Sequence, residues 1–240
     1  MKNFIKSILE KISRVIYELI PREFKNRDNE YDMYSKIIEH SKNETFEHFK
    51  DDYKRSVLFT NKWKIREYAI KTALLNDKNK ENYYLEFGVF KGKTSNFFSK
   101  FIHKLYCFDS FEGLKEDWVG TKIPKGHFNL NKKIPVLKSN VEPIIGWVED
   151  TLDVFLEKNN PKINFVHFDM DTYSSTKFTL KKIKPYLTKN AILIFDEFTG
   201  YIGWENGEYK AFKEVFKEEE FTYLAFSMRD GYDKCVVQIK

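Results

Sequence analysis

Residues 83–95 read YYLEFGVFKGKTS: an apolar run, two glycines four residues apart, then a Thr-Ser pair. Tyr83, Tyr84, Leu85 and Phe87 predict a short buried strand, Gly88 and Gly92 bracket a turn, and Thr94 and Ser95 open a helix to about His103. Glycine accepts φ > 0 and has no Cβ, so the spacing suits a loop against which a ligand lies closely. A tight strand-to-helix turn with no ligand would share that spacing. The helix behind it offers unpaired N–H groups to a carboxylate or phosphate.

The next acid decides between the two. LYCFDSF predicts a second strand ending at Asp109, and 109 − 88 = 21 residues is the separation of a ribose-binding acid in nucleotide-type α/β sites. The loop is ExGxxxG, from Glu86 through Gly88 to Gly92, and lacks the middle glycine that brings a pyrophosphate to the backbone. Glu86 would repel a pyrophosphate and pair with an ammonium. A ligand carrying both an amine and a ribose is expected, and S-adenosylmethionine fits.

Four stretches in this order, YLEFGVFKGKTS, FDSFEGLKEDW (108–118), FVHFDMDTYSST (165–176) and FDEFTGYIGWENGEYKAF (195–212), resemble class I S-adenosylmethionine-dependent methyltransferases. More narrowly they resemble the macrocin O-methyltransferase (TylF-like) family. The resemblance covers roughly residues 80 to 240. It implies a Rossmann-like seven-stranded, mostly parallel sheet with helices on both faces and the last strand antiparallel. It also implies cofactor contacts from Glu86, Phe87, Gly88, Gly92, Thr94, Ser95, Asp109 and Ser110, and an adenine-binding acid at Asp150. Asp150 reads equally as a first-turn acid of the helix TLDVFL.

At the apolar run Ile163–Phe168 the chain stops at Asp169, and AILIFDEF ends on Asp196 and Glu197. Ligands of open α/β sheets bind at the carboxyl ends of the strands, so these three carboxylates are expected to converge. Like charges in one pocket require a cation or shared protons, and oxygen-only donors select Mg²⁺ first, with Mn²⁺ or Ca²⁺ as alternatives. The resemblance implies the same metal set, Asp169, Asp196 and Glu197. Asp171 reads as a helix cap or a supporting group. Asp169 is the expected proton acceptor, ahead of His167, and His127 is a further candidate base. The implied reaction is methylation of a hydroxyl on a sugar or glycosylated small molecule. A non-catalytic S-adenosylmethionine-binding relative and a nucleotide-dependent oxidoreductase are the alternatives; the acid trio argues against the first, and Glu86 with the missing glycine against the second.

The remainder of the chain sets the frame. Its 240 residues suffice for one domain, here residues 61–240, preceded by an N-terminal helical extension over residues 1–60. A net charge of +5 without a basic, aromatic-interleaved tract gives no support for nucleic acid as partner. Cys107 and Cys235 read as buried thiols of a reducing, cytoplasmic compartment. Residues 3–20 repeat apolar side chains at helical spacing among Lys2, Lys6, Lys11 and Arg14, with no unbroken apolar run. The expected role of this helix is packing on the domain or in a homo-oligomer, with a membrane surface as the alternative. Residues 110–133, rich in breakers, predict a loop over the site that carries Trp118, His127 and Phe128. Trp204 reads either as a sugar platform or as a buried turn residue.

Overall fold

A computed structural model describes residues 2–19, 33–228 and 232–240. The sequence also predicts a helix stop at Pro21 with a polar stretch to Glu30, an apolar spot at Tyr31 and a hairpin turn at Arg229, Asp230 and Gly231; these lie outside the described residues. The chain forms two compact units, Met1–His40 and Ser41–Lys240. The first contains helix α1, Lys2–Leu19, and the start of α2, Met33–Tyr53. Among the described residues no helix is long and apolar enough to cross a membrane.

The second unit holds β1 Val57–Phe59, α3 Lys62–Leu75, β2 Tyr83–Phe87, α4 Lys93–Phe98, β3 Leu105–Asp109, β4 Val141–Ile145, α5 Val148–Asn159, β5 Ile163–Phe168, α6 Tyr173–Ile183, β6 Leu187–Thr199, α7 Glu208–Val215, β7 Phe221–Ser227 and β8 Asp233–Ile239. The sheet runs β1-β7-β8-β6-β5-β2-β3-β4. Strand β8 is antiparallel to β6 and β7, and every other pairing is parallel. The Rossmann-like sheet expected from the sequence is present with one addition. The three-residue β1 pairs with β7 at the edge and makes eight strands of the expected seven. Phe49 and Tyr53 of α2 are also core residues, and they belong to the second compact unit.

Each inner strand is apolar on both faces because helices cover both. On one face the ring pairs Phe108–Phe87, Phe87–Phe168 and Phe168–Phe195 stack at 4.7, 5.8 and 4.8 Å, a ladder across β3, β2, β5 and β6. In-register pairing puts these rings side by side. The ladder lies just beneath the carboxyl edge and fixes the floor of the site. On the other face Ile65, Ala69, Ile70 and Ala73 of α3 pack with Tyr84, Phe165 and Ile194. Asn61 caps α3, its side chain accepting from the amides of Trp63 and Lys64.

Helix α4 is shorter than the helix expected to reach His103. The Asn140 side chain donates to the carbonyls of Ser99 and Ile102 at 2.9 Å each, taking up acceptors that continued helix would have used. Strand β6 is longer than expected and runs through Asp196 and Glu197 to Thr199. The two acids therefore point to opposite faces of one strand instead of lying together past its end.

Candidate functional site at the carboxyl edge of the sheet

Gly88 has φ +89°, and a Cβ there would lie 1.8 Å from the carbonyl oxygen of Asp169. This backbone approach between β2 and β5 is by itself enough to require glycine there. Gly92 has φ +69°, and a Cβ there would meet Leu137 at 2.6 Å. Between them the amides of Val89 and Phe90 donate to one oxygen of Asp109 at 2.8 Å each, and the Phe111 amide donates to the other at 2.7 Å. Asp109 thus braces the loop from the neighbouring strand, and it lines a cavity of about 500 Å³.

That cavity has two halves. One is lined by Gly88, Thr94, Phe108, Asp109 and Ser110, and by Gly146, Trp147 and Val148 after β4. The other is lined by Asp169, Asp171, Thr172 and Glu197. Trp118, Ile123 and Phe128 of the irregular segment between β3 and β4 line it as well, as expected of a covering loop. Arg66 and Trp63 of α3 contribute a wall.

Several expected contacts sit elsewhere. Glu86 is fully buried and does not line the cavity; its carboxylate accepts from Ser95 and contacts His167 Nδ1 at 2.9 Å. It ties α4 to β5 and is not placed to pair directly with a ligand ammonium. Phe87, Gly92 and Ser95 likewise lie behind the lining. Asp150 is exposed in the first turn of α5, outside the cavity, which leaves it the helix-dipole role. His127 is exposed and outside the lining, with its ring edge on Phe128. Trp204 is 1% exposed among Phe49, His48 and Tyr209, a buried turn residue and not an open platform.

The acids divide by strand face. Asp169, Asp171 and Glu197 bring carboxylate oxygens within 4.8 Å of one another. Asp196 falls on the side of α3, where Arg66 Nη2 donates to both its oxygens at 2.6 Å, with Lys234 Nζ at 3.4 Å and His167 Nε2 at 3.3 Å. Asp169 also clusters with His167 and Asp196, but Asp196 and Glu197 share no cluster. Asp171, expected as a cap or a supporting group, is buried in the acid group, and Thr172 holds the N-cap position of α6.

Charge follows this division. Burial works against a charged Asp196, yet Arg66, His167 and Lys234 together outweigh it and hold the carboxyl well below the usual carboxylate range. Burial works against a charged His167, yet Asp196 and Glu86 outweigh it and push the imidazole up to about 9. Burial first, then Asp196, pushes Asp169 up to about 7. Asp171 and Glu197 lie well above their ordinary values, through burial and then through Asp169 and Asp196 respectively. Glu208 of α7, fully buried, accepts from the Glu197 amide at 3.1 Å and is raised by the same causes. Glu197 Oε2 and Glu208 Oε1 find no hydrogen-bond partner among the described residues. Oxygen-only donors, mutual repulsion and an orphaned buried carboxylate oxygen fit a hard divalent cation.

Arg66, Lys234 and Glu208 were not among the expected site residues. Arg66 had a sequence signal: it sits within the apolar stripe Ile65, Ala69, Ile70 and Ala73, where an arginine needs a buried partner.

The mostly parallel sheet with its antiparallel final strand is the Rossmann-like fold of class I methyltransferase structures. Residues 85–198 match the family model described as a methyltransferase domain. Among solved structures the chain is similar to CalS11, a calicheamicin methyltransferase, at 21% identity and a TM-score of 0.59, over 75% of this chain and 80% of that one. The apo form of CalS11, a TDP-rhamnose 3'-O-methyltransferase of calicheamicin biosynthesis, gives 21% and 0.54 over 73% and 77%. The O-methyltransferase NovP gives 16% and 0.51 over 74% and 79%. At these identities the likeness is one of fold. No curated protein sequence matches the chain.

Proposed function

We propose that the chain is an S-adenosylmethionine-dependent O-methyltransferase of the TylF-like kind, assisted by Mg²⁺ and acting on a hydroxyl of a sugar or glycosylated small molecule. The observation that carries this is a single cavity in which the Gly88 loop and Asp109 face the carboxylates of Asp169, Asp171 and Glu197. One solved neighbour, CalS11, is a TDP-rhamnose 3'-O-methyltransferase, and that supports the acceptor class. Two buried free cysteines fit a reducing cytoplasm.

The chain's residues have separable tasks. The loop from Gly88, with Asp109, Ser110, Trp147 and Val148, receives the nucleoside; Asp109 retains lone pairs beside those its backbone donors occupy. Asp169, Asp171 and Glu197 would hold the cation. A bound divalent ion lowers the pKa of a coordinated hydroxyl and fixes its position. Asp169 is the acceptor for the hydroxyl proton, and Asp171 lies within reach of the same space. Trp118 and Phe128 exclude water from above. The protein's part in transfer is alignment of the two reactants, and no covalent enzyme intermediate is needed.

Calorimetric titration of S-adenosylmethionine and of NAD, each with Mg²⁺ and with a chelator, tests this on the wild type, Asp169→Ala and Glu197→Gln. S-adenosylmethionine should bind and NAD should not, and the Mg²⁺ heat should vanish in both variants. Binding of NAD alone would overturn the cofactor; a Mg²⁺ heat unchanged in both variants would overturn the metal site.

A further inference from the structure

Helix α1, Lys2–Leu19, carries chemistry that the methyl-transfer reading does not use. Ile5, Ile8, Leu9, Ile12, Ile16 and Leu19 are 41–77% exposed. At 100° per residue these six fall within about 100° of arc, one apolar stripe along about four turns. Lys6 and Lys11 stand on either side of it, each about 60° beyond an edge of the stripe by the same arithmetic. The helix has four cationic residues and two anionic ones, Glu10 and Glu18.

We propose that α1 lies on an anionic lipid surface, with its apolar stripe in the headgroup boundary and its lysines on the phosphates. Charge complementarity selects this occupant. A helix lying in the interface plane needs an apolar face, flanking cations and no long apolar run, and α1 has all three. A paired coil with a second copy fits less well. The apolar positions repeat over fewer than three heptads, and in either register that fills a and d, an apolar pair, Leu9 with Ile16 or Ile8 with Val15, falls where a two-stranded coil carries the charges that select its partner.

Flotation of the full chain with vesicles tests the proposal. Phosphatidylcholine vesicles containing roughly a third phosphatidylglycerol should carry the protein, and pure phosphatidylcholine should carry roughly tenfold less. Binding should fall when salt is raised to about 1 M, where charges more than ~3 Å apart are screened. Ile12→Glu with Ile16→Glu should abolish flotation, and Lys6→Glu with Lys11→Glu should weaken it on the anionic vesicles only. An unchanged thermal midpoint shows that each variant keeps its fold. Absence of wild-type flotation on anionic vesicles would overturn the proposal, as would equal flotation of the wild type and the Ile12→Glu, Ile16→Glu chain. A solution mass that halves in that chain, with no vesicle binding by the wild type, would assign the stripe to a second copy.

Discussion

Arg66 holds Asp196 through two 2.6 Å contacts between buried side chains. Arg66→Met leaves that carboxylate buried with only Lys234 and His167, and should cost about 3–5 kcal/mol in urea unfolding. Glu197→Gln works in the opposite sense: it removes one of several repelling charges, so the thermal midpoint should rise while Mg²⁺ binding and methyl transfer are lost. Acidity adds a third check. Asp169 has a folded pKa of about 7 against an ordinary 3.8, so the folded chain holds the extra proton between those values and stability falls as pH rises through them. Asp169→Asn should flatten that slope. His167, at about 9 against 6.5, gives stability that is complete below 6.5 and lost as pH rises through 9. The carboxyl-edge acids could be found by reading the chain, because the apolar runs before Asp169 and Asp196 stop at them. The face each acid takes could not, because it depends on β6 continuing to Thr199 and on Arg66, 130 residues away.

At the scale of elements, the joint between β2 and β5 is the tightest feature of the site. The Asp169 amide donates to the Phe87 carbonyl at 2.8 Å, and the Asp169 carbonyl lies over Gly88. Gly88→Ala must move backbone against backbone and adopt φ near +89°, so it should lose at least about 1–3 kcal/mol of stability and weaken S-adenosylmethionine and Mg²⁺ together. Calorimetry on that variant checks the joint loss. The strand, loop and helix around Gly88 were readable from periodicity and glycine spacing. The reason for the glycine was not, since the atom it must avoid belongs to a strand about 80 residues later in the chain. The short α4 was hidden for the same reason, its stop being a side chain at Asn140.

For the molecule as a whole, a ligand that binds only the folded state raises the midpoint by mass action. S-adenosylmethionine at a hundred times its dissociation constant should give about 2.7 kcal/mol, or roughly 5–10 °C for a domain of this size, by scanning calorimetry. The parallel order and the antiparallel final strand followed from motif order and resemblance. The eighth strand did not, because Val57–Phe59 is too short to carry a periodic signal. Yet that stub has a consequence for how the protein survives crowding in a cell. An open sheet exposes unpaired amides at both rims, and each rim can seed a fibre with another chain. Here one rim is β1, only three residues long, and the other is β4, where Pro143 has no amide to offer and Glu142 and Lys104 set charges alongside. Both rims therefore make poor templates, and the sheet stops growing at its own borders.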